Sequence, residues 1–541
     1  MTAVMPGEGT RNGAAGQPAD HLADPPAQTP AASLAASLAA NLADEDWLWE
    51  ALGLGVEIRG GEPADELDEL ALRRLVGLAL RRNPRRAHLL VSRVLGKHLP
   101  VPPEVALDAG ARLAALVRAL PEPGRWAGPG PAAAPVPIVI GYCETATALG
   151  HAVADGLPNS HYLHTTRRQV PGSTPLLEFV ESHSHATHHW LMPQDPDVLA
   201  QPGRLLLVDD ELSTGRTALG TIRILHAFAP RTDYAVAALV DARPPAARAA
   251  FAALAAELGV RIDVVSLVAA TVAVPVDVTE RATRIRGSVG TAAAPEPAPG
   301  PAVDGSAHGA AGADAAGSAA TGGAAAGDAG SVDPADTAGV ADPADPAGAV
   351  TRVTVPWPAG LPDGARHGWS QHTRERLTAE LPAVADEVLA GIGAARGGDP
   401  SAGGDILVLG TEELMYVPMR LAQCLVERTE RRIFYQSTTR SPVHPLDVDG
   451  YAIRSALTFP APDDPSRVSH VYNVAPGRYE DIVVVVDAAL DGRGPVPGAP
   501  AVDGLVVALG ACAPVTVVTI PSHVPPRPAP AAGGHPAEGA V

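Results

Sequence analysis

The feature that most constrains the fold is a run of four apolar residues, Leu205 to Val208, followed directly by two acids, Asp209 and Asp210. Such a run predicts a strand that is buried on both faces, as in a parallel sheet. A loop of small residues and an apolar-periodic segment, Ala218 to Phe228, come next and predict a loop and a helix. Ligands of open α/β sheets bind where strands end and helices begin. The stretch is therefore the candidate centre of a binding site.

The loop has the composition of an anion-binding turn. Its small residues allow successive backbone N–H groups to converge on an anion, and the helix N-terminus adds the positive end of its dipole. These residues are Ser213, Thr214, Gly215 and Thr217. The simplest such anion is a monophosphate. Asp209 and Asp210 would repel it, so we expect them to face ribose hydroxyls or a Mg²⁺ ion held partly through water. A phosphate beside a diol-binding acid pair describes ribose 5-phosphate.

The stretch resembles the PRPP-binding motif of the type I phosphoribosyltransferases, with four apolar residues, two acids and a small-residue loop that ends in Thr217. The resemblance implies that Asp209 and Asp210 contact the ribose 2′- and 3′-hydroxyls. It also implies that the loop from Ser213 to Thr217, which includes Arg216, wraps the 5′-phosphate of PRPP. Glu211 stands where the family more often has an apolar residue, and we include it in the site. An ordinary capped helix is the alternative, but it explains neither the acid pair nor the whole small-residue run.

Length and charge limit the remaining choices. The 541 residues have room for two or three domains. A net charge of -20 argues against a nucleic-acid or anionic-membrane partner and leaves small-molecule substrates as the expected partners. Three widely separated cysteines and the absence of a secretory signal predict a reducing, cytoplasmic location. A homodimer is left open.

Composition divides the chain into five parts. Residues 1–42 and 526–541 are predicted to be disordered tails, and residues 287–349 a flexible Ala/Gly/Pro/Asp linker. Repeated strand–helix units predict α/β domains over residues 45–285 and 350–525. By its resemblance the first domain is expected to have the type I phosphoribosyltransferase fold, a mainly parallel sheet with flanking helices and a hood loop. We expect the linker to let the two domains dock without fixing their geometry beforehand.

The segment before the sheet contains a leucine-rich stretch and a basic stretch. Recurring leucines predict one helix over Ala64 to Arg82. Basic residues then cluster between Asn83 and His98, which is unusual in so acidic a chain. A solvated basic face and a face turned towards phosphate or substrate are equally supported.

Two further stretches are candidates for the pyrophosphate site. The strand Val136 to Tyr142 is followed by a turn with Glu144 and Thr145, where the type I transferases bind pyrophosphate. Glycines that are usual in that turn are largely missing, so a helix cap is an equal alternative. The next strand ends in Arg167 and Arg168, whose guanidinium groups match phosphate oxygens in pairs. We assign both arginines to the leaving group.

The segment from Pro171 to Gly203 is too long for an ordinary connection. It corresponds in position to the mobile hood loop of orotate-type transferases, and it carries four histidines in seven residues, including His183 and His185. A hood with these histidines would meet the leaving pyrophosphate and exclude water. Zinc is an alternative, although the spacing fits no closed zinc site.

The second domain repeats parts of the first. The segments Val408 to Glu413 and Thr438 to Arg440 echo Val139 to Glu144 and Thr165 to Arg167. A later strand keeps Asp487, and we align Ala488 with the second acid and Asp491 with the phosphate loop. An acid there would repel a phosphate, so we predict a degenerate copy that does not bind PRPP. Chance similarity between two α/β domains is the alternative. In either case Tyr435 and Arg440 are the candidates for acceptor contacts.

The run Thr439-Arg440-Ser441-Pro442, combined with the first domain, resembles the TRSP domain that follows such transferases in proteins encoded with tellurium-resistance genes. The resemblance implies a nucleotide-related or stress-response pathway with an undefined acceptor. We therefore expect transfer of ribose 5-phosphate from Mg²⁺-PRPP to a base-like acceptor. The alternatives are a PRPP- or nucleotide-sensing regulator without turnover and a nucleotide phosphorylase or hydrolase.

Overall fold

The computed structural model describes residues 47–59, 69–83, 87–121, 136–168, 170, 173–180, 188–289, 350–492 and 502–523. The tails predicted over 1–42 and 526–541 lie outside these residues, as does the linker from residue 290 onward. In the described part of the chain, no helix combines the length and apolar character needed to cross a membrane.

The first domain is built on a six-stranded sheet in the order β1-β10-β9-β8-β4-β5. All neighbours in this sheet are parallel except β1, which is antiparallel to β10. Strands β4 and β9 are buried at every position, as apolar runs covered on both faces should be. The predicted mainly parallel sheet is confirmed. The elements of this domain are α1 (Trp47–Leu52), β1 (Gly55–Ile58), α2 (Glu69–Leu75), β2 (Val76–Arg81), β3 (His88–Ser92), α3 (Pro103–Ala119), β4 (Ile138–Gly141), α4 (Thr147–Asp155), β5 (His161–His164), β6 (Leu177–Val180), β7 (His188–Leu191), β8 (Leu205–Leu212), α5 (Arg216–Phe228), β9 (Asp233–Asp241), α6 (Pro245–Leu258), β10 (Arg261–Ala273) and α7 (Val278–Val289).

The second domain is a five-stranded, fully parallel sheet in the order β11-β18-β17-β12-β13. Its strands β18-β17-β12-β13 repeat the order and direction of β9-β8-β4-β5 in the first domain. Each domain therefore contains the same four-stranded arrangement, as the sequence similarity between them predicts. The elements are β11 (Val350–Thr354), α8 (Gln371–Arg396), β12 (Ile406–Gly410), α9 (Tyr416–Val426), β13 (Ile433–Ser437), β14 (Val443–His444), β15 (Ala456–Pro460), β16 (Val468–Tyr472), β17 (Asp481–Asp487), α10 (Ala488–Asp491), α11 (Asp503–Gly510) and β18 (Val515–Ile520).

The single helix predicted over Ala64 to Arg82 is wrong. Helix α2 ends at Leu75, and strand β2 begins at Val76. Strand β2 lies between β3 and β14 in a three-stranded sheet, and five of its six residues are buried. Strand β2 pairs over five residues with β3 in a hairpin and over two residues with β14 of the second domain, so contacts outside the segment make it a strand. Tertiary pairing has overridden a local helical pattern.

The two domains are docked and share one hydrophobic core. Besides the β2–β14 pairing, Tyr162 exchanges backbone hydrogen bonds with Trp369. The ring of His151, in α4, stacks on Tyr416 at a centroid distance of 4.0 Å, with Trp369 against its edge at 4.7 Å. All these side chains are buried, and the core cluster continues from one domain into the other. The relative position of the domains is therefore fixed by packing.

A shared core predicts that both domains unfold together. The change Trp369→Ala removes a side chain with no exposed surface, and it should lower the free energy of unfolding by about 3–5 kcal/mol. Calorimetry should show one transition in the wild type and one transition, at lower temperature, in the variant. The control Val276→Ala alters a fully exposed residue and should leave the transition unchanged. Two separate transitions in the wild type would contradict the shared core.

Candidate active site

The acid pair lies at the carboxyl end of β8, next to the predicted loop. Strand β8 is longer than its apolar run and includes both acids and Glu211, with Leu205 to Val208 buried and the three carboxylates half-buried. The pairing with β9 continues as far as Leu212, which explains the extra length. The acids are therefore held on a rigid strand at the edge of the sheet, where ligands of this class of fold bind.

Gly215 gives the loop its shape. It has a φ of +66°, a left-handed conformation that favours glycine, and helix α5 begins directly after it. A methyl group on Gly215 would lie 2.5 Å from a ring carbon of Phe251. Ser213 and Thr214 are exposed at the helix N-terminus. The loop can therefore present backbone N–H groups and hydroxyls to an anion, as predicted.

A buried arginine supports the loop from below. The guanidinium group of Arg243 lies 4.3 Å from the ring centroid of Phe251. It also donates to both carboxylate oxygens of Asp241, at 2.8 and 2.9 Å. Both charged side chains are nearly fully buried, so the pair and the ring form a fixed floor beneath Gly215. Sequence reasoning did not identify this support.

One cleft of about 930 Å³ brings half of the predicted site residues together. It lies between the end of β8, the turn after β4, the β2–β3 hairpin and the segment after β13. Of the predicted site residues, those that line it are Glu144, Thr145, Arg167, Asp209, Asp210, Glu211, Ser213 and Arg440. Thr214, Gly215, Arg216 and Thr217 continue the loop beside it. His183 and His185 lie outside the described residues.

The cleft has an acidic wall whose charge is partly relieved. Burial and the neighbouring Asp210 raise the pKa of Glu211 to about 7, and Arg81 opposes the shift. The raised pKa favours the neutral form of Glu211 more than for an ordinary glutamate. A protonated Glu211 can donate a hydrogen bond and would repel a phosphate less than a third carboxylate would.

The cleft lining also carries cations. Lys97 donates from Nζ to the hydroxyl of Thr145 at 2.5 Å, in the turn predicted to bind pyrophosphate. Arg81 and His88, from the β2–β3 hairpin, also line the cleft, although burial and Arg81 lower the pKa of His88. Of the described residues of the basic cluster, His88, Lys97 and His98 line this cleft. Lys97 was not chosen individually from the sequence, and the cluster was the signal for it.

Arg167 is held at the cleft by a histidine that the sequence did not identify. Its Nε and Nη2 atoms donate to Nε2 of His189 at 3.0 and 2.8 Å. Nε2 must therefore be unprotonated, so Nδ1 carries the proton and lies 3.0 Å from the Thr165 hydroxyl. Thr165 in turn accepts from the backbone N–H of Cys143, beside the pyrophosphate turn. The peptide bond from Cys143 to Glu144 is cis.

Arg168 points away from the cleft, towards the second domain. Its guanidinium group lies 2.7 Å from the carboxylate of Asp487, and the two side chains are 12% and 3% exposed. In this structure the charge of Arg168 is neutralised by Asp487, so it is not available to a leaving group. The structure thus separates two neighbouring arginines to which the sequence assigned one role.

The two acceptor-side candidates occupy different environments. Arg440 lines the cleft and forms ion pairs with Glu144 at 2.8 Å, Glu412 at 2.9 Å and Asp463 at 3.1 Å. Tyr435 is fully buried, and its ring packs against Gly96 in the interface. We therefore treat Tyr435 as a packing residue and keep only Arg440 at the site.

No group of three or more His, Cys, Asp and Glu side chains within the described ranges is arranged to hold a metal ion. His189 is instead engaged by Arg167 and Thr165. The hood hairpin of β6 and β7 therefore contributes a hydrogen-bond acceptor for Arg167. Of the other hood histidines, His183 and His185 lie outside the described residues.

The corresponding site of the second domain is closed. When the first strands of the two domains are matched, the pairing registers place Asp487 at the position of Asp210. The lost acid is thus the first, replaced by Val486, and our alignment of Ala488 with the second acid is wrong. Asp487 caps helix α10 by accepting from the backbone N–H of Leu490. A cavity of only about 10 Å³ is left between Arg168 and the end of this sheet.

Comparison with known proteins identifies the family. Residues 75–271 match the model of a family described as phosphoribosyl transferase. Residues 363–497 match the model of the TRSP domain, described as C-terminal to that transferase. Together the matches cover more than half of the chain, which therefore belongs to this phosphoribosyl transferase family and carries its TRSP domain. Comparison with curated proteins gives no match.

Solved structures give weak similarities. They include the adenine phosphoribosyltransferases of Giardia lamblia in complex with 9-deazaadenine (16% identity, 36% of this chain and 93% of that chain, TM-score 0.25) and of Leishmania tarentolae (16%, 39% and 94%, 0.26). A third is that of Trypanosoma brucei in complex with AMP, pyrophosphate and ribose-5-phosphate (12%, 38% and 81%, 0.27). TM-scores this low support no conclusion about this chain.

The geometry at Gly215 gives a direct test of the phosphate loop. Gly215→Ala would force a side chain into a left-handed conformation and against Phe251, so we expect the affinity for ribose 5-phosphate to fall by about tenfold or more. The control is Gly220→Ala in the same helix, where a methyl group meets nothing within 4 Å. That change should leave binding intact and slightly raise stability. Equal binding by both variants would exclude the loop as the phosphate site.

Proposed function

We propose that the protein transfers ribose 5-phosphate from Mg²⁺-bound PRPP to a base-like acceptor and releases pyrophosphate. One observation carries the proposal: a single cleft is lined by the acid pair and Ser213 together with Lys97 and Arg167. The family match supports phosphoribosyl transfer in general. A nucleotide-related or stress-response pathway and a cytoplasmic location stay predictions from the sequence.

The acidic and small-residue groups of the cleft match the ribose 5-phosphate part of PRPP, and its cationic groups match the pyrophosphate part. The loop from Ser213 to Thr217 would bind the 5′-phosphate, and Asp209 and Asp210 would accept hydrogen bonds from the ribose hydroxyls. Lys97 and Arg167 would face the pyrophosphate, where negative charge increases as its bond to C1 breaks. Fixed cations that stabilise this charge lower the barrier, because they need no reorganisation during the reaction. We assign no general base.

Asp209 and Asp210 also fit a Mg²⁺ ion. Their carboxylates are half-buried on the wall of a cleft that is wide enough to admit water and substrate. Mg²⁺ prefers oxygen ligands, keeps several waters and is commonly held by one or two carboxylates together with substrate phosphates. The two aspartates would hold it in that way, and the ion would neutralise charge on the pyrophosphate.

A second candidate function is a PRPP-sensing regulator without turnover, and the position of Glu144 favours it. This residue lies in the turn predicted to bind pyrophosphate, but its side chain is 3% exposed and is paired with Arg440. The turn is therefore used in part to join the two domains. A site built in this way could retain the ligand without promoting its reaction.

The change Asp210→Asn tests the acid pair. Losing a charge-assisted hydrogen bond costs about 1.5–3 kcal/mol, so PRPP affinity should fall by roughly 10- to 100-fold. Titration calorimetry in the presence of Mg²⁺ measures the change, with Asp197→Asn, an exposed acid of the same domain, as the control. Unchanged affinity in Asp210→Asn would reject the assignment of the ribose site.

Pyrophosphate release decides between the two functions. The full-length protein should release pyrophosphate from labelled PRPP when a mixture of purine and pyrimidine bases is supplied, and Asp210→Asn should lower that rate. Tight binding of PRPP without release, with every base tested, would favour the regulator. Failure to bind PRPP at all would reject both functions.

A further inference from the structure

Each domain places a buried glutamate carboxylate against a turn of the other domain. Glu413, at the end of β12 in the second domain, accepts from the Thr166 hydroxyl at 2.6 Å and from the backbone N–H of Arg167 at 2.9 Å. In the opposite direction, Glu144 accepts from the Thr439 hydroxyl at 3.3 Å and from the backbone N–H of Arg440 at 3.4 Å. Glu413 follows β12 and holds the turn after β5. Glu144 follows β4, the equivalent strand of the first domain, and holds the turn after β13.

The contact of Glu413 is fully buried and fully bonded. Its side chain is 3% exposed and also accepts from Nη2 of Arg366 at 3.1 Å. Burial opposes ionisation, but Arg366 and its other neighbours outweigh it and hold the pKa of Glu413 well below the usual range. A permanently ionised carboxylate in this position binds both donors of the turn strongly.

The turn that Glu413 holds leads directly to the cleft. Thr166 and Arg167 join β5 to the hood, and the side chain of Arg167 runs from this turn to His189 and the cleft. The backbone of Thr166 also pairs with Trp190 of the hood strand. The direction of Arg167 is therefore set from two sides: by the hood within its own domain and by Glu413 from the second domain.

We infer that Glu413 is a positioning residue of the active site in the first domain, and that through the Thr166–Arg167 turn it directs Arg167 towards the pyrophosphate end of the cleft. This role rests on the proposed function, because it concerns the residue that faces the leaving group. The TRSP domain would thus contribute to this site in two ways, through the cleft residue Arg440 and through Glu413 behind the Thr166–Arg167 turn.

The experiment compares two ligands in the full-length protein. Glu413→Gln keeps the shape of the side chain but can accept from only one of the two donors through its amide oxygen. We expect its affinity for pyrophosphate to fall by about 10- to 100-fold, the scale of effect that misplacing a binding group produces. Its affinity for ribose 5-phosphate, which the loop after β8 binds, should stay unchanged.

A buried acid elsewhere in the second domain is the matched control. Asp481 pairs with Arg396 and Arg431 and is remote from the cleft lining. Asp481→Asn should lower the unfolding temperature and leave both affinities unchanged. If Glu413→Gln does not fold, Thr166→Val removes one of the two donors from the other side and should produce the same selective loss of pyrophosphate binding.

The protonation state of His189 gives a readout that needs no ligand. In the wild type Arg167 donates to Nε2, so nitrogen chemical shifts should report the proton on Nδ1. Glu413→Gln should change these shifts, whereas Asp481→Asn should not. If the wild type itself fails to bind pyrophosphate, the proposed function fails at that point, and the His189 shifts still decide whether Glu413 positions Arg167. Unchanged shifts, or equal losses for the two ligands, would overturn the inference.

Discussion

The architecture depends on the two buried glutamates, Glu144 and Glu413, that cross the domain interface in opposite directions. An apolar interface can slide at modest cost, but a buried carboxylate must keep its partners, because removing one partner leaves an uncompensated charge and costs about 3–5 kcal/mol. Each glutamate bonds to a backbone N–H group as well as to side chains. The turns after β5 and β13 are therefore fixed relative to the opposite domain, and the cleft inherits that precision.

The four-stranded arrangement that both domains contain has a different environment at its carboxyl end in each domain. In the first domain the end of β8 is open, with half-buried acids and an exposed loop. In the second domain Asp487 occupies the position of Asp210, but it binds Arg168 and caps a short helix. A position that we assign to the ligand in the first domain thus forms an interface contact in the second. The same exchange explains why Arg168 neighbours the cleft residue Arg167 and yet has a different role.

Local signals in the sequence predicted the centre of the site, and remote contacts determined the rest. The strand, acid pair and loop are contiguous, so their order alone predicts where they meet. Strand β2 was not predicted, because its leucines follow a helical spacing, whereas pairing with β3 and with β14 of the other domain makes the segment a strand. Arg167 and Arg168 lie in the turn after β5, which ends at His164, and the sequence of a turn does not tell which of the two side chains faces the cleft. His189 was one of four similar histidines, and its role follows from its distance to Arg167.

Two similar domains in one chain can change independently of each other. In a symmetric dimer of identical subunits, any substitution that closes one site closes both, because both subunits carry it. Within a single chain, one copy can change alone. Val486 stands at the position of the first acid, and Asp491 stands in the segment that corresponds to the phosphate loop. Glu413 nevertheless supports the turn after β5 in the first domain. The main structural constraint on the second domain is therefore to keep the contacts that hold the turns of the first domain. Charge pairs can fill the cleft at the end of its own sheet.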